Sequence, residues 1–267
     1  MSENEQKQTS KGLAKSALLK KEDESWGDFF KTIFYAFLIA IAFRTFVLQP
    51  FSIPSESMLK NLMVGDFLMV SKSSYGFSKH SLPWSLPIIP GRLFASDVER
   101  GDVVVFRLPR DPGTYYIKRI IGTPGDKIQT KGGELYLNDE KVPAERLEDY
   151  VRTNQFGREE TFKRIEETMP NGKSYVTLDI DYMKGSMADD SDAFLVPEGH
   201  YFAMGDNRDN SQDSRWPSSV GVGYIPAENI IGKAKWITLS FDNKSAFWEI
   251  WKWFPAERRE RFFSTIN

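Results

Sequence analysis

A mostly β protein preceded by one apolar helix is the fold class this sequence predicts. Three observations carry that reading: one uninterrupted apolar run near the N-terminus, a succession of short alternating runs punctuated by Gly, Pro and Asp, and a charge-rich stretch that interrupts them. At 267 residues the chain is long enough for a real hydrophobic core. Its formal charge of -2 points to no polyanionic partner, so nucleic acid is not expected. Cysteine is absent, which excludes disulfide staples and thiolate metal sites. His80 and His200 are the two histidines, and neither has the H-x-x-x-H partner or acidic cluster of a metal ligand; no metal or cofactor is expected.

The first element runs from Phe29 to Leu48, reading FFKTIFYAFLIAIAFRTFVL. As a helix rising about 1.5 Å per residue, such a run matches a hydrocarbon core about 30 Å thick, so a transmembrane helix is expected. Lys31 and Arg44 lie near its ends, where long cationic side chains reach toward headgroups. The tail at 1–28 carries Lys7, Lys11, Lys15, Lys20 and Lys21; by the positive-inside rule it stays cytoplasmic and all that follows the helix lies outside. Ala40-Ile41-Ala42 has the small-x-small form of a signal-peptide cleavage site. The long charged lead and the lack of a helix breaker favour an uncleaved signal anchor over 29–48.

Beyond the anchor, strands are expected in FLMVSK (67–72), DVVVFRL (102–108), TYYIKRIIG (114–122), ELYLND (134–139) and AKWITLSF (234–241). These assemble a main β domain from 49–125 and 196–243. The segment 126–195 reads as an inserted β-rich cap, charge-rich from about Leu147 to Asp192, with KSYVTLDI as its clearest strand. SLPWSLPIIPG (81–91) and the aromatic C-terminal segment 244–267, with FWEIWKWF ahead of Arg258, Arg259 and Arg261, fit either packing on the domain or a membrane interface.

Three segments hold residues able to do chemistry. Ser55-Glu56-Ser57 sits between a proline-fixed turn and a Gly-Asp turn; a serine there becomes a nucleophile only if a base is supplied. On TYYIKRIIG the alternation puts Tyr116, Lys118 and Ile120 on one face, so Lys118 has apolar neighbours that favour loss of its proton. On this stretch alone the preferred reading is an edge-strand lysine reaching water. GDNRDNSQDSR (205–215) describes a tight, heavily hydrogen-bonded loop and lacks the spacing of an EF-hand.

Together, P-S-x-S-M after a membrane helix, Y-I-K-R on a strand and G-D-N-R-D-N-S-x-D-S-R closely resemble the boxes of bacterial type I signal peptidases, also called leader peptidases. The likeness covers roughly 49–125 and 196–240, RGDVVVF (100–106) included. It implies an extracytoplasmic β-sheet catalytic domain and a serine endopeptidase of the bacterial inner membrane. Such an enzyme cuts signal peptides from exported preproteins after a small-x-small (Ala-x-Ala) site.

The resemblance makes Ser57 the nucleophile and Lys118 its general base, with Ser211 hydrogen-bonded to the lysine. Ser55 and the Ser57 N–H form the oxyanion hole, Asp213 and Arg215 pair in support, and Gly205 permits close backbone approach. Phe51, Ile53, Tyr116 and Ile117 face the substrate. With about nine residues between Leu48 and Ser57, at about 3.3 Å each, the site is expected within about 30 Å of the bilayer. The sequence departs from the pattern at Lys60-Asn61, where Pro-Thr is usual, and at Glu56, where Gly is commoner. Two other classes fit less well: a self-cleaving Ser/Lys repressor, whose DNA-binding domain is replaced here by an anchor, and a non-catalytic β module binding export partners.

Overall fold

The computed structural model describes residues 26–82, 85–153, 157–180, 188–241 and 258–266. The lysine-rich tail, Trp84 and the aromatic run at 247–254 lie outside the described residues. Helix α1 spans Trp26–Phe46, with Asp28 in its first turn and Arg44 in its last, each complementing the helix dipole. Apolar side chains are exposed all around it. Within Trp26–Arg44 it is long and apolar enough to cross a membrane. It stops short of Leu48, because Pro50 follows and the chain turns into a strand.

The first six strands are β1 (Leu48–Ser52), β2 (Asp66–Ser71), β3 (Phe77–Ser78), β4 (Arg92–Leu93), β5 (Val103–Leu108) and β6 (Asp111–Gly122). Seven more follow: β7 (Lys127–Lys131), β8 (Glu134–Leu137), β9 (Glu140–Lys141), β10 (Ala144–Thr153), β11 (Glu159–Thr168), β12 (Ser174–Asp179) and β13 (Phe194–Leu195). The chain ends with β14 (His200–Met204), β15 (Ile225–Pro226), β16 (Ile230–Ser240) and β17 (Ser264–Thr265). The protein is therefore mostly β with one N-terminal apolar helix.

The helical unit and the β unit, Thr45–Asn267, are separately compact. In the β unit an antiparallel sheet runs β1-β2-β16-β5-β6-β14-β15, with β17 beside β16. Smaller sheets are β13-β7-β8-β9 and β10-β11-β12. The β10–β11 hairpin escapes a sequence reading: Glu145, Glu148 and Asp149 leave β10 without apolar alternation, and most of it is exposed.

Burial along the strands explains where a cleft can form. β5 is buried on both faces, as its Val103-Val104-Val105-Phe106 run suggests. β6 is exposed from Asp111 to Tyr115 and buried from Ile117 onward, so it emerges from the core near Tyr116. β1 and β6 are four steps apart in the sheet, which at about 4.8 Å per step is about 19 Å if flat. The rings of Phe51 and Tyr115 nevertheless stack edge-on at 5.1 Å. The sheet has curled until β1 faces β6, around a core that includes Ile53, Met58, Leu62, Leu68 and Ile117.

At the C-terminus Arg258 and Arg261 turn inward, while Arg259 is exposed. Arg261 donates to the buried Asp66 carboxylate at 2.6 Å, and Arg258 to the Val64 carbonyl at 2.9 Å. Arg261 thereby gives a buried carboxylate the cationic partner it requires, and Arg258 ties the C-terminal turn to the backbone of the domain.

Candidate active site

Ser57 follows the turn after β1 and is held from behind. Its carbonyl accepts a hydrogen bond from the Asn207 N–H at 3.0 Å, and the Glu56 carbonyl accepts one from Asn207 Nδ2 at 3.0 Å. Met58, Leu59 and Leu62 are buried beneath it, which fixes the start of the turn by packing. Asn207 escaped the sequence reading although it lies inside GDNRDN.

Lys118 belongs to the buried half of β6, opposite Val104 of β5. Its side chain is buried and does not reach water: 3% of it is exposed. Its Nζ lies 2.5 Å from Ser57 Oγ and donates to the Ile117 carbonyl at 3.1 Å. Burial strips water from the ammonium and pulls its pKa from 10.5 down to about 8; Asp213 and Asp206 oppose that and Arg215 adds to it. The bond expected from Lys118 to Ser211 is not made. Ser211 Oγ is buried and makes no hydrogen bond within normal limits, although it lies near enough to Asp213 to favour that carboxylate's ionised form.

The loop from Gly205 to Arg215 closes the site. Arg215 grips Asp213 through Nε at 2.9 Å and Nη2 at 2.8 Å. Burial would raise Asp213, but Arg215 and the Gly205 N–H, 2.9 Å from the carboxylate, keep it below the usual range. Gly205 is required for space: a Cβ there would fall 2.2 Å from Ser211 Oγ and 2.5 Å from the Ser57 carbonyl oxygen. Behind the loop, Arg119 and Asp206 form a bidentate pair at 2.8 and 2.9 Å, each side chain 1% exposed. Asn61 Nδ2 adds a bond to the same carboxylate at 2.7 Å.

A cleft of about 580 Å³ opens above these groups, lined among others by Ser55, Ser57, Tyr116, Ile117, Lys118 and Ser211. Ser55 Oγ is 3.4 Å from Ser57 Oγ. Thr114, Tyr115, Gln212 and Trp216 also line it and were not anticipated. Phe51 and Ile53 do not: Ile53 is buried in the core and Phe51 packs on Tyr115. Neither histidine is among the lining residues.

Residues 26–239 match the family model described as signal peptidase, peptidase S26. The chain belongs to this family. It is accordingly a serine endopeptidase. A signal peptidase I of Rickettsia canadensis (strain McKiel) is 40% identical over 225 residues, covering 82% of this chain and 81% of that protein. That of Rickettsia typhi (strain Wilmington) is 35% identical over 254 residues, covering 89% and 92%. A solved signal peptidase I from Enterococcus faecalis V583 shares 26% identity, covering 52% of this chain and 97% of that one, with a TM-score of 0.30.

Proposed function

We propose that this enzyme removes N-terminal signal peptides from exported preproteins, cutting after an Ala-x-Ala site by Ser57/Lys118 acyl-enzyme chemistry. The observation that carries this reading is the 2.5 Å approach of a buried, pKa-lowered amine to a serine hydroxyl. Neutral Lys118 takes the Ser57 proton as Oγ attacks the scissile carbonyl carbon. The developing oxyanion accepts from the Ser55 hydroxyl and the Ser57 N–H. The ammonium then protonates the leaving amine, and the signal peptide remains as an ester on Ser57. Lys118 next deprotonates water, which attacks the ester and releases the peptide carboxylate. An ammonium has a third N–H that the neutral amine lacks. Ser211 Oγ, free to accept at the same site, suits it.

Strand geometry supports the specificity. β1 pairs with β2, and residues 115–118 of β6 pair with β5; on their other sides neither segment has a strand partner among the described residues. An extended substrate can lie along these edges as an added strand, presenting alternate side chains to the enzyme. Positions -1 and -3 then share one face, near Tyr116 and Ile117. Phe51 and Ile53 act from below by shaping the floor. No cofactor or metal is required.

Helix α1 is proposed to cross the bacterial inner membrane with the lysine-rich tail in the cytoplasm and the catalytic domain outside. The domain plan proposed is a tail ahead of helix α1, the helix itself (Trp26–Phe46) as the anchor, a catalytic domain from 49–125 and 196–243, and a cap at 126–195. The test is cleavage of a fluorogenic Ala-x-Ala peptide by detergent-solubilised protein. Ser57→Ala and Lys118→Met should each abolish cleavage after the second alanine, whereas no turnover by folded wild type would favour a binding module.

A further inference from the structure

The nucleophile segment departs from the pattern it resembles at Glu56, Lys60 and Asn61, and the β10-β11-β12 sheet meets all three. Arg152 of β10 forks onto Glu56, Nη1 to Oε1 at 2.7 Å and Nη2 to Oε2 at 2.9 Å. Its guanidinium is steadied by Glu160 of β11, 2.9 Å from Nε, and lies 5.2 Å from the Phe162 ring centroid. Lys60 Nζ sits 5.0 Å from the Tyr150 ring, and Asn61 Nδ2 donates to the Val176 carbonyl at 2.8 Å.

The fork acts on one particular peptide plane. The Glu56 carbonyl and the Ser57 N–H are opposite ends of a single planar unit, so turning one turns the other. Asn207 Nδ2 holds the carbonyl end. Arg152 holds the Glu56 side chain on the other side of its Cα, leaving the plane little freedom to rotate. We propose that Arg152 is a positioning residue for peptide cleavage: by clamping Glu56 it keeps the Ser57 N–H and the adjacent Ser55 hydroxyl aimed at the oxyanion. The inference rests on the Ser57/Lys118 reading and adds a role for the β10-β11-β12 sheet. Glu56, in place of the commoner Gly, then has a function of its own as the handle for this clamp.

The side chains of Arg152 and Glu56 are 22% and 37% exposed, so the pair contributes little to folding. Its effect belongs to the rate. Losing an oxyanion donor outright costs about 100-fold or more in kcat, and a donor that is only loosened should cost about tenfold. Full-length protein in detergent is assayed on the Ala-x-Ala peptide as wild type, Arg152→Gln, Glu56→Gln and the double variant. The expected result is a kcat about tenfold lower in each single variant, with KM within about twofold, and a double variant no slower than the slower single. Arg152→Lys, which keeps the charge but loses the fork, should recover part of the rate.

Single variants with wild-type kcat, or two losses that multiply in the double variant, would overturn the clamp. If Arg152→Gln fails to fold, Glu56→Gln carries the test alone, since it leaves Arg152 on Glu160 and Phe162. Ser57→Ala separates the two levels of the argument. Turnover that survives it sinks the Ser57/Lys118 reading and the clamp together; turnover lost in Ser57→Ala but intact in Arg152→Gln sinks the clamp alone.

Discussion

Lys118 owes its proposed chemistry to position. An unperturbed lysine with a pKa near 10.4 is neutral in roughly one molecule in a few thousand at pH 7, and so is nearly useless as a base. With the pKa at about 8, roughly one molecule in ten carries the free amine at that pH. A base must be neutral to act, so acidification removes activity. The kcat/KM profile should rise about tenfold per pH unit below an apparent pKa of about 8 and level off above it. A profile flat from pH 6 to 8 would identify some other group as the base. Beside Ser57 Oγ lies the Ser55 hydroxyl at 3.4 Å, and Asn207 holds the carbonyl of the adjoining Glu56–Ser57 peptide.

At the scale of elements, two segments far apart in sequence are joined by one ion pair. Arg119 on β6 and Asp206 at the start of the Gly205–Arg215 loop are both fully buried, and Asp206 also holds Asn61 from the segment after Ser57. Burying two charges is expensive, and the arrangement is tolerable because the pair is bidentate and Arg119 Nη1 also bonds the Gly101 carbonyl at 2.6 Å. Asp206→Ala would leave the guanidinium buried without its counter-ion. A loss of about 3–5 kcal/mol in unfolding free energy is expected, measured by denaturant titration. A loss under about 1 kcal/mol would mean that water reaches the vacated site and that the pair does not organise the loop. The β10-β11-β12 sheet leans on the same loop, with the Leu178 N–H donating to the Asp206 carbonyl at 2.8 Å and Arg208 paired with Glu167.

For the whole molecule, the division into an apolar helix and a compact β unit predicts separable tasks. A chain begun at Thr45 should fold, keep peptide turnover within about threefold of the full chain, and lose retention on liposomes in a flotation assay. Retention that survives the truncation would move the lipid contact to the β unit, where Leu86, Ile88 and Phe94 expose apolar surface. The proposed preprotein activity uses both units, because the substrate is itself held in the membrane by its signal segment.

The sequence by itself determined the apolar helix and the strands with clear patterning and singled out Ser57 and Lys118 as candidates, because each of these is written in local composition and spacing. FLMVS and YYIKRIIG show strand-like patterning, and VVVFRL is a short β-branched run bounded by turn residues. It did not reveal β1, whose Pro50 is tolerated because an edge strand can lack one donor, nor the charged β10–β11 hairpin. The meeting of Ser57 with Lys118, 61 residues later, was decided by the curl of the sheet, which brings β1 opposite β6. Asn207 and Trp216 reach the site from the loop after β14, and Arg152 reaches Glu56 from a separate sheet. Their significance lies in what they touch across the fold, and a linear pattern carries no record of contacts that only long-range packing creates.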